Sequence, residues 1–298
     1  MSATATRQTY HLRWHQHSLD LGPRTLVMGI VNVTPDSFSD GGRFYAPDQA
    51  LAHAEGLVAE GADILDIGGE STRPFSDPVS ASDEIARVVP VIEALSARVQ
   101  VPISIDTKKA AVADAALAAG AAMVNDVSAL DGDPRMAAVV AKAQVPLILM
   151  HMQGTPKTMQ ASPHYDDLLG EVTAFLRRAR QTALDAGVSP GHIILDPGIG
   201  FGKTFPHNLT LLKHLSELAN LEAPLLVGSS RKAFIRHLVK PVDVEDIPAD
   251  RPEVETGSQA TVAAAIMGGA HIVRVHDVAN TIPTVRVMDA ICAADDPA

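Results

Sequence analysis

Cysteine is almost absent from the 298 residues, since Cys292, near the C-terminal end, is the only one. A disulfide framework and a cysteine-ligated zinc or iron–sulfur centre are therefore excluded. Positive charge is also scarce, because 24 Lys and Arg residues stand against 35 Asp and Glu residues, a formal net charge of −11. This balance argues against nucleic acid or an anionic membrane as a general partner.

Long apolar runs are missing as well. Residues 1–8 contain no apolar stretch, so we expect no signal peptide and a cytoplasmic protein. Residues 256–273 lack a formal charge, but Gly268, Gly269 and His271 interrupt them. At this position we expect a buried helix that leads into a strand, and not a membrane span.

Apolar sequence is present in short, regular pieces, and apolar residues make up 46% of the chain. Eight runs of four to seven residues, each followed by helical-looking sequence, recur about every 35 residues, the length of a βα unit. They are residues 26–32, 63–66, 101–106, 123–126, 145–151, 192–196, 225–229 and 272–276. Such runs are typical of buried parallel strands, and eight of them predict an α/β fold, a single (β/α)8 TIM barrel.

Glycines and alternation complete the predicted architecture. Gly61, Gly120, Gly187 and Gly269 each follow a helical stretch, where glycine closes the helix before the next strand. Residues 10–21 alternate weakly with period two, which predicts a short N-terminal β-hairpin at the bottom of the barrel. We therefore expect residues 1–23 to form an N-terminal extension and residues 24–298 to form the barrel domain.

Polar residues follow the predicted strands, at the end where barrel enzymes place their reactive groups. On the last strand, Arg274 and His276 share a face by alternation, and a buried cation there needs an anion. The last two strands are also where barrels most often bind phosphate. The alternative is a structural ion-pair network of Arg274 with Asp126 or Glu70.

A second set combines two carboxylates, an amide and an ammonium group: Asp106, Asn125, Asp196 and Lys232. A carboxylate is the natural partner of a flat ring that presents two adjacent N–H groups, as a 2-amino-4-oxopyrimidine does. Lys232 would donate to the ring carbonyl and the neighbouring nitrogen. Each acid alone has another interpretation, since it could cap the next helix or bond a loop amide.

Two apparent motifs are set aside. The glycine-rich stretch 198–204 resembles a phosphate-binding loop, but Pro197 stands where the first glycine of that loop belongs. A turn that lets a flat ligand approach the backbone is the better interpretation. The aspartates Asp66, Asp106, Asp126 and Asp196 lie on different predicted strands, and their spacing does not indicate a metal site.

Seven segments, in order, resemble the dihydropteroate synthase family of folate biosynthesis. They are residues 32–42, 68–74 (Gly-Gly-Glu-Ser-Thr-Arg-Pro), 106–108, 150–154, 196–203, 230–232 and 274–277. The similarity extends from about residue 24 to residue 292. It implies a TIM barrel, usually a homodimer, that joins 6-hydroxymethyl-7,8-dihydropterin diphosphate to 4-aminobenzoate with Mg²⁺ as cofactor. The products would be 7,8-dihydropteroate and diphosphate, and sulfonamides would target the enzyme.

The resemblance also implies a role for each matched residue. The pterin would bind to Asp106, Asn125, Met150, Asp196, Phe201 and Lys232. The diphosphate would bind to Asn32, Arg73, Arg274 and His276, with Asn32 as the protein ligand of Mg²⁺. The 4-aminobenzoate site would be formed by Thr72, Arg73, Pro74, Phe201 and Ser230. Lys232, Asp106, Arg274 and His276 would be the catalytic residues.

Two other functions compete with this interpretation. A methyltetrahydrofolate–corrinoid methyltransferase would share the ring contacts, but it needs no diphosphate site, and Arg73, Arg274 and Asn32 argue against it. A pterin-binding paralogue without activity would be the second, and the intact motifs argue against it.

Overall fold

The computed structural model describes residues 7–34, 46–71 and 76–294. The strands are β1 (Tyr10–Trp14), β2 (His17–Leu21), β3 (Leu26–Asn32), β4 (Ile64–Gly68), β5 (Ile103–Asp106), β6 (Met123–Asp126), β7 (Leu147–Met150), β8 (Ile193–Asp196), β9 (Leu226–Val227) and β10 (Ile272–Val275). The helices are α1 (Ala46–Glu60), α2 (Ala81–Ser96), α3 (Ala110–Ala118), α4 (Met136–Ala143), α5 (Leu168–Asp185), α6 (Phe205–Lys213), α7 (Ala233–Val239), α8 (Pro252–Met267) and α9 (Val278–Cys292).

Eight parallel strands form the predicted barrel, in the order β8-β7-β6-β5-β4-β3-β10-β9. A parallel bridge between Leu195 and Leu225 joins the two outer strands, and the Leu195 N–H donates to the Pro224 carbonyl over 2.9 Å. Nearly every strand residue is buried, because helices cover the outside and side chains fill the inside. The fold-class prediction is therefore confirmed.

Strand β9 is shorter than the predicted run 225–229. The chain leaves the sheet after Val227 and enters a turn, in which the Lys232 N–H donates to the Ser229 carbonyl. Arg231 in this turn has φ of 59°, a left-handed conformation that no strand residue adopts. The apolar pattern does not indicate this turn, so the strand predicted from the sequence is longer than the observed strand.

The predicted N-terminal hairpin is present as the antiparallel pair β1–β2. Its inward-facing residues, Leu12, Trp14, Leu19 and Leu21, are buried in the main core. The His192 ring nitrogen lies 3.1 Å from the Arg13 carbonyl, immediately before β8. The hairpin therefore packs against the N-terminal ends of the barrel strands, opposite the end where the polar residues gather.

The uncharged stretch 256–273 forms most of α8 and leads into β10, as expected. No helix in the described ranges has both the length and the apolar character needed to cross a membrane. The helix-closing glycines Gly61, Gly120, Gly187 and Gly269 have φ values between 92° and 111°. At Gly120 a Cβ atom would lie 2.6 Å from the Cβ of Ser96, so this turn requires glycine.

Candidate active site

A buried ionic cluster lies at the C-terminal ends of the strands. Arg274, on β10, donates from Nε to Asp66 Oδ2 over 2.6 Å and from a terminal nitrogen to Asp106 Oδ2 over 2.9 Å. Asn125 Nδ2 donates to the same Asp66 oxygen over 3.0 Å. The structure thus brings together Arg274, Asp106 and Asn125 from β10, β5 and β6, with Asp66 of β4 at their centre.

Arg274 does not pair with Asp126 or Glu70, the partners expected in a structural ion-pair network. Glu70 pairs with Lys108 over 2.8 Å, and the Asp126 carboxylate accepts from Ser128 and Leu130. Arg274 instead joins the cluster that was predicted to bind a ring, and its side chain remains 19% exposed. Part of its guanidinium group therefore remains open to solvent, so an anion can still reach it.

Asp66 was not predicted to belong to this site, because the sequence shows it only as one of four aspartates on separate strands. Its side chain is fully buried, although it lies in the middle of β4 and not at its end. Alternation places it on the same face of β4 as Ile64 and Gly68. A carboxylate buried in a barrel requires a cation, and this requirement was the available signal.

The charges in the cluster alter one another. Burial and the neighbouring Asp66 carboxylate raise the pKa of Asp106. Burial raises the pKa of Asp196 to about 6, against the opposing effect of a hydrogen bond from the Gly198 N–H. Burial and the nearby Arg274 cation lower the pKa of Lys232 to about 8. Both acids and the amine therefore titrate much closer to neutrality than they do in water.

Lys232 and Phe201 form one wall of the site. The Lys232 Nζ lies 4.0 Å from the centroid of the Phe201 ring, a cation–π contact. Phe201 also belongs to a small apolar cluster with Met150, Val127 and Met159. Met150 and Phe201, the two residues expected beside the plane of the ring, are thus together, next to the predicted cation.

The glycine-rich turn 198–202 carries Phe201 and packs closely on the segment after β7. A Cβ atom on Gly198 would lie 1.9 Å from the His151 carbonyl oxygen, and one on Gly202 would lie 2.4 Å from the Gln153 carbonyl oxygen. Both glycines also have positive φ. The glycines therefore serve close packing and backbone conformation at the edge of the site, which agrees with the rejection of a phosphate-binding loop.

Ser230 and His276 meet across the last two strands. The Ser230 Oγ lies 3.1 Å from His276 Nδ1, and it also accepts from the His276 backbone N–H. Between Ser230 and Lys232, the Arg231 N–H donates to Ser258 Oγ, and its guanidinium group pairs with Glu255. Contacts from α8 thus fix the turn that presents Ser230 and Lys232.

Asn32 ends β3 and pairs in register with Gly68 of β4. A Cβ atom on Gly68 would contact both Asn32 Oδ1 and the Asp106 carboxylate, at 3.9 and 3.8 Å. Asn32 therefore lies beside the ionic cluster. The predicted residues Thr72, Arg73 and Pro74 lie outside the described part of the chain.

The comparisons with known proteins agree with this arrangement. A family model described as "Pterin binding enzyme" matches residues 28–276, which defines the class as the pterin-binding enzymes. The dihydropteroate synthase of Synechocystis sp. is 49% identical over 276 residues, which cover 93% of this chain and 93% of that protein. The chain belongs to the dihydropteroate synthase family of pterin-binding enzymes.

Two solved structures show the same architecture. The Yersinia pestis dihydropteroate synthase in complex with a sulfonamide drug has a TM-score of 0.88 and 46% identity, with 95% of this chain and 100% of that chain covered. The Xanthomonas albilineans dihydropteroate synthase with 4-aminobenzoic acid has a TM-score of 0.88 and 44% identity, with 97% and 100% covered. The resemblance seen in the sequence is thereby confirmed.

Proposed function

We propose that the chain condenses 6-hydroxymethyl-7,8-dihydropterin diphosphate with 4-aminobenzoate to give 7,8-dihydropteroate and diphosphate. The observation that supports this most is the cluster in which Arg274 bridges Asp66 and Asp106 beside Asn125. A buried network of this kind offers both hydrogen-bond acceptors and donors to a polar ring. It lies where barrel enzymes place their active sites, in a chain of the dihydropteroate synthase family.

This cluster offers hydrogen-bond partners and apolar contacts that match those of a pterin ring. One oxygen of Asp106, Oδ1, is buried and has no hydrogen-bond partner among the described residues, so it can accept from a ring N–H group. The Asp196 carboxylate accepts from the adjacent amino and N–H groups, and Lys232 donates to the ring carbonyl. Met150 and Phe201 provide the apolar contacts beside the ring plane.

The reaction separates charge at the exocyclic methylene carbon. Its bond to the diphosphate oxygen breaks, and the electron pair leaves with the diphosphate. The electron-rich dihydropterin ring delocalises the resulting cation, and the Asp106 and Asp196 carboxylates stabilise it. The nitrogen lone pair of the arylamine then forms the new C–N bond, and the resulting ammonium group loses its proton to water. This amine is neutral at pH 7, so we expect no acid–base dyad.

The leaving diphosphate requires cations. Arg274, which is partly exposed, and His276, which lies against Ser230, are proposed to bind it. Arg73 is proposed to complete this set with Asn32. The turn that presents Ser230 is proposed, with Phe201, Thr72 and Pro74, to shape the 4-aminobenzoate site.

A magnesium ion fits the oxygen donor that lies beside the ionic cluster at Asn32. Mg²⁺ prefers oxygen ligands and usually takes only one or two from the protein, with substrate phosphates and waters as the others. Asn32 Oδ1 is such an oxygen beside the cluster, and no group of three His, Cys, Asp or Glu residues in the described ranges could hold a metal alone. Bound there, Mg²⁺ would neutralise charge on the leaving diphosphate.

We further propose that the protein is a cytoplasmic homodimer. Met267 of α8 and Val287 and Ile291 of α9 are 44, 60 and 53% exposed, and they form an apolar patch beside Cys292. A free, exposed cysteine also suits a reducing compartment.

Light scattering of the parent protein should give the mass of a dimer. The substitution Val287→Glu should reduce this mass, whereas Leu238→Glu, at another exposed apolar position, should not. A monomeric parent protein would contradict the proposal.

The activity is tested by incubating the chain with the pterin diphosphate, 4-aminobenzoate and Mg²⁺. Mass spectrometry should detect 7,8-dihydropteroate, and diphosphate release should require both the amine and the metal ion. Two results would contradict the proposal: methyl transfer from methyltetrahydrofolate, or tight pterin binding without product.

A further inference from the structure

Lys203 is a buried amine at the end of the glycine-rich turn, outside the proposed substrate contacts. Its side chain is 1% exposed. Its Nζ lies 2.8 Å from His151 Nδ1, 3.0 Å from the Phe201 carbonyl oxygen and 3.5 Å from the His151 carbonyl oxygen. An ammonium group has three N–H donors, and these three neutral acceptors match them in number.

The turn needs such donors because it makes no ladder of backbone hydrogen bonds, although the Phe201 N–H donates to the Gly198 carbonyl over 3.1 Å. Three consecutive carbonyl groups accept from side chains instead: Gly200 from Gln160 over 2.8 Å, Phe201 from Lys203, and Gly202 from Tyr165 over 2.7 Å. The Gly200 N–H donates to Asn208 Oδ1. The conformation of residues 198–202 therefore depends on a few specific side chains, of which Lys203 is the most deeply buried.

His151 is held firmly as the partner of Lys203. Its ring makes edge contacts with Phe175 at 4.8 Å, and it lies 6.0 Å from the Tyr165 ring. Burial, assisted by the Lys203 charge, lowers the pKa of His151 to about 3, so the ring is neutral at pH 7. A neutral ring can accept from the ammonium at Nδ1 or donate there to a neutral amine. In either state Lys203 keeps its bonds to the carbonyls.

Phe201 connects this buried pair to the pocket, because its carbonyl binds Lys203 while its ring lies under Lys232. We propose that Lys203, held by His151, is a positioning residue that fixes the Phe201 ring and thereby determines how well the arylamine binds. This inference rests on the proposed condensation. Lys203 itself is too deeply buried to contact either substrate, so its effect passes through Phe201.

The arylamine should depend on this support more than the pterin does. The pterin is also proposed to contact Phe201, but its polar contacts come mainly from strand ends. Asp106 and Asn125 end β5 and β6, and Asp196 ends β8, and backbone pairing fixes these strands independently of the turn. The 4-aminobenzoate ring has few polar groups and relies on the shape of the wall that Phe201 forms. A loosened turn should therefore weaken binding of the amine first.

The substitution Lys203→Met removes the donors and keeps the length of the side chain. We expect the KM for 4-aminobenzoate to rise about tenfold or more, while the KM for the pterin diphosphate changes less than about threefold. Lys213→Met, at an exposed position of α6, is the matched control and should leave both constants unchanged. Equal changes in both KM values, or no change, would overturn the proposal.

A second pair of variants keeps the test decisive if Lys203→Met fails to fold. His151→Asn retains a polar acceptor near the position of Nδ1, whereas His151→Leu removes it. We expect the Asn variant to keep the KM for 4-aminobenzoate within about threefold of the parent and the Leu variant to raise it about tenfold. Identical behaviour of the two variants would contradict the role of Lys203. If the parent protein itself makes no dihydropteroate, it is the proposed function that fails.

Discussion

At the scale of residues, the site is defined by ionisable groups that are held away from their usual pKa values. Burial is the main cause for Asp196, whose pKa is raised to about 6, and for Lys232, whose pKa is lowered to about 8. The proposed ring contacts need Asp196 ionised as an acceptor and Lys232 protonated as a donor. Asp106, whose pKa is raised to about 7, must also be ionised, so all three conditions hold together only between about pH 7 and pH 8.

The pH dependence of kcat/KM for the pterin diphosphate should therefore be bell-shaped. As the pH falls, Asp106 takes up a proton near pH 7 and Asp196 near pH 6, so activity falls. Above about pH 8 Lys232 loses a proton and activity falls again. In Lys232→Arg the cation does not titrate in this range, so whatever activity remains should lose its alkaline decline and keep its acid one. A profile that is flat from pH 5 to 9 in the parent would contradict these assignments.

The site residues that could be predicted differ from Asp66, which could not, in how far along the sequence the information about them lies. Asp106, Asn125, Asp196 and Lys232 could be predicted because each follows an apolar run, so its position is read locally. Asp66 was missed because its meaning depends on Arg274, 208 residues away along the chain. Contacts over such distances follow from the closed barrel and not from local sequence.

At the scale of elements, the eight strands could be predicted because burial on both sides leaves a continuous apolar run. The length of β9 could not, because the turn that follows it is stabilised by distant side chains, among them Ser258 and Glu255. The glycine-rich turn shows the same dependence: its glycines were visible in the sequence, but the backbone against which they pack was not.

The turn is therefore expected to tolerate no side chain at Gly198. In Gly198→Ala the new Cβ would lie 1.9 Å from the His151 carbonyl oxygen, at a φ of 67°. We expect the free energy of unfolding, measured with urea, to fall by about 3 kcal/mol or more. Gly191→Ala is the control, because nothing lies within 4 Å of its Cβ, and it should cost less than about 0.5 kcal/mol. A similar cost at both positions would contradict the packing described.

At the scale of the whole molecule, the barrel is joined most weakly where the site is formed. Strand β9 has two residues, and a bridge between Leu195 of β8 and Leu225, the residue just before β9, connects the two sides. Asp196 ends β8, and Lys232 follows β9, so a ligand that contacts both would tie the two sides together. Closure of the barrel and ligand binding should therefore be coupled.

Hydrogen exchange can measure this coupling. Amides in residues 224–232 should exchange faster than those of β3, which pairs with strands on both sides. Addition of 6-hydroxymethyl-7,8-dihydropterin diphosphate should slow exchange in 224–232 far more than in β3. Uniform exchange across the sheet, or a ligand effect spread evenly over it, would show that the junction is not a weak point.

The most direct test of the account is the turnover number of Asp106→Ala and Lys232→Ala at saturating concentrations of both substrates. If the buried cluster stabilises the separating charges, each variant should make dihydropteroate at least about 100 times more slowly than the parent while remaining folded. If both variants keep more than about a tenth of the parent rate, the cluster is not the catalytic centre, and the reaction must occur elsewhere or by other residues.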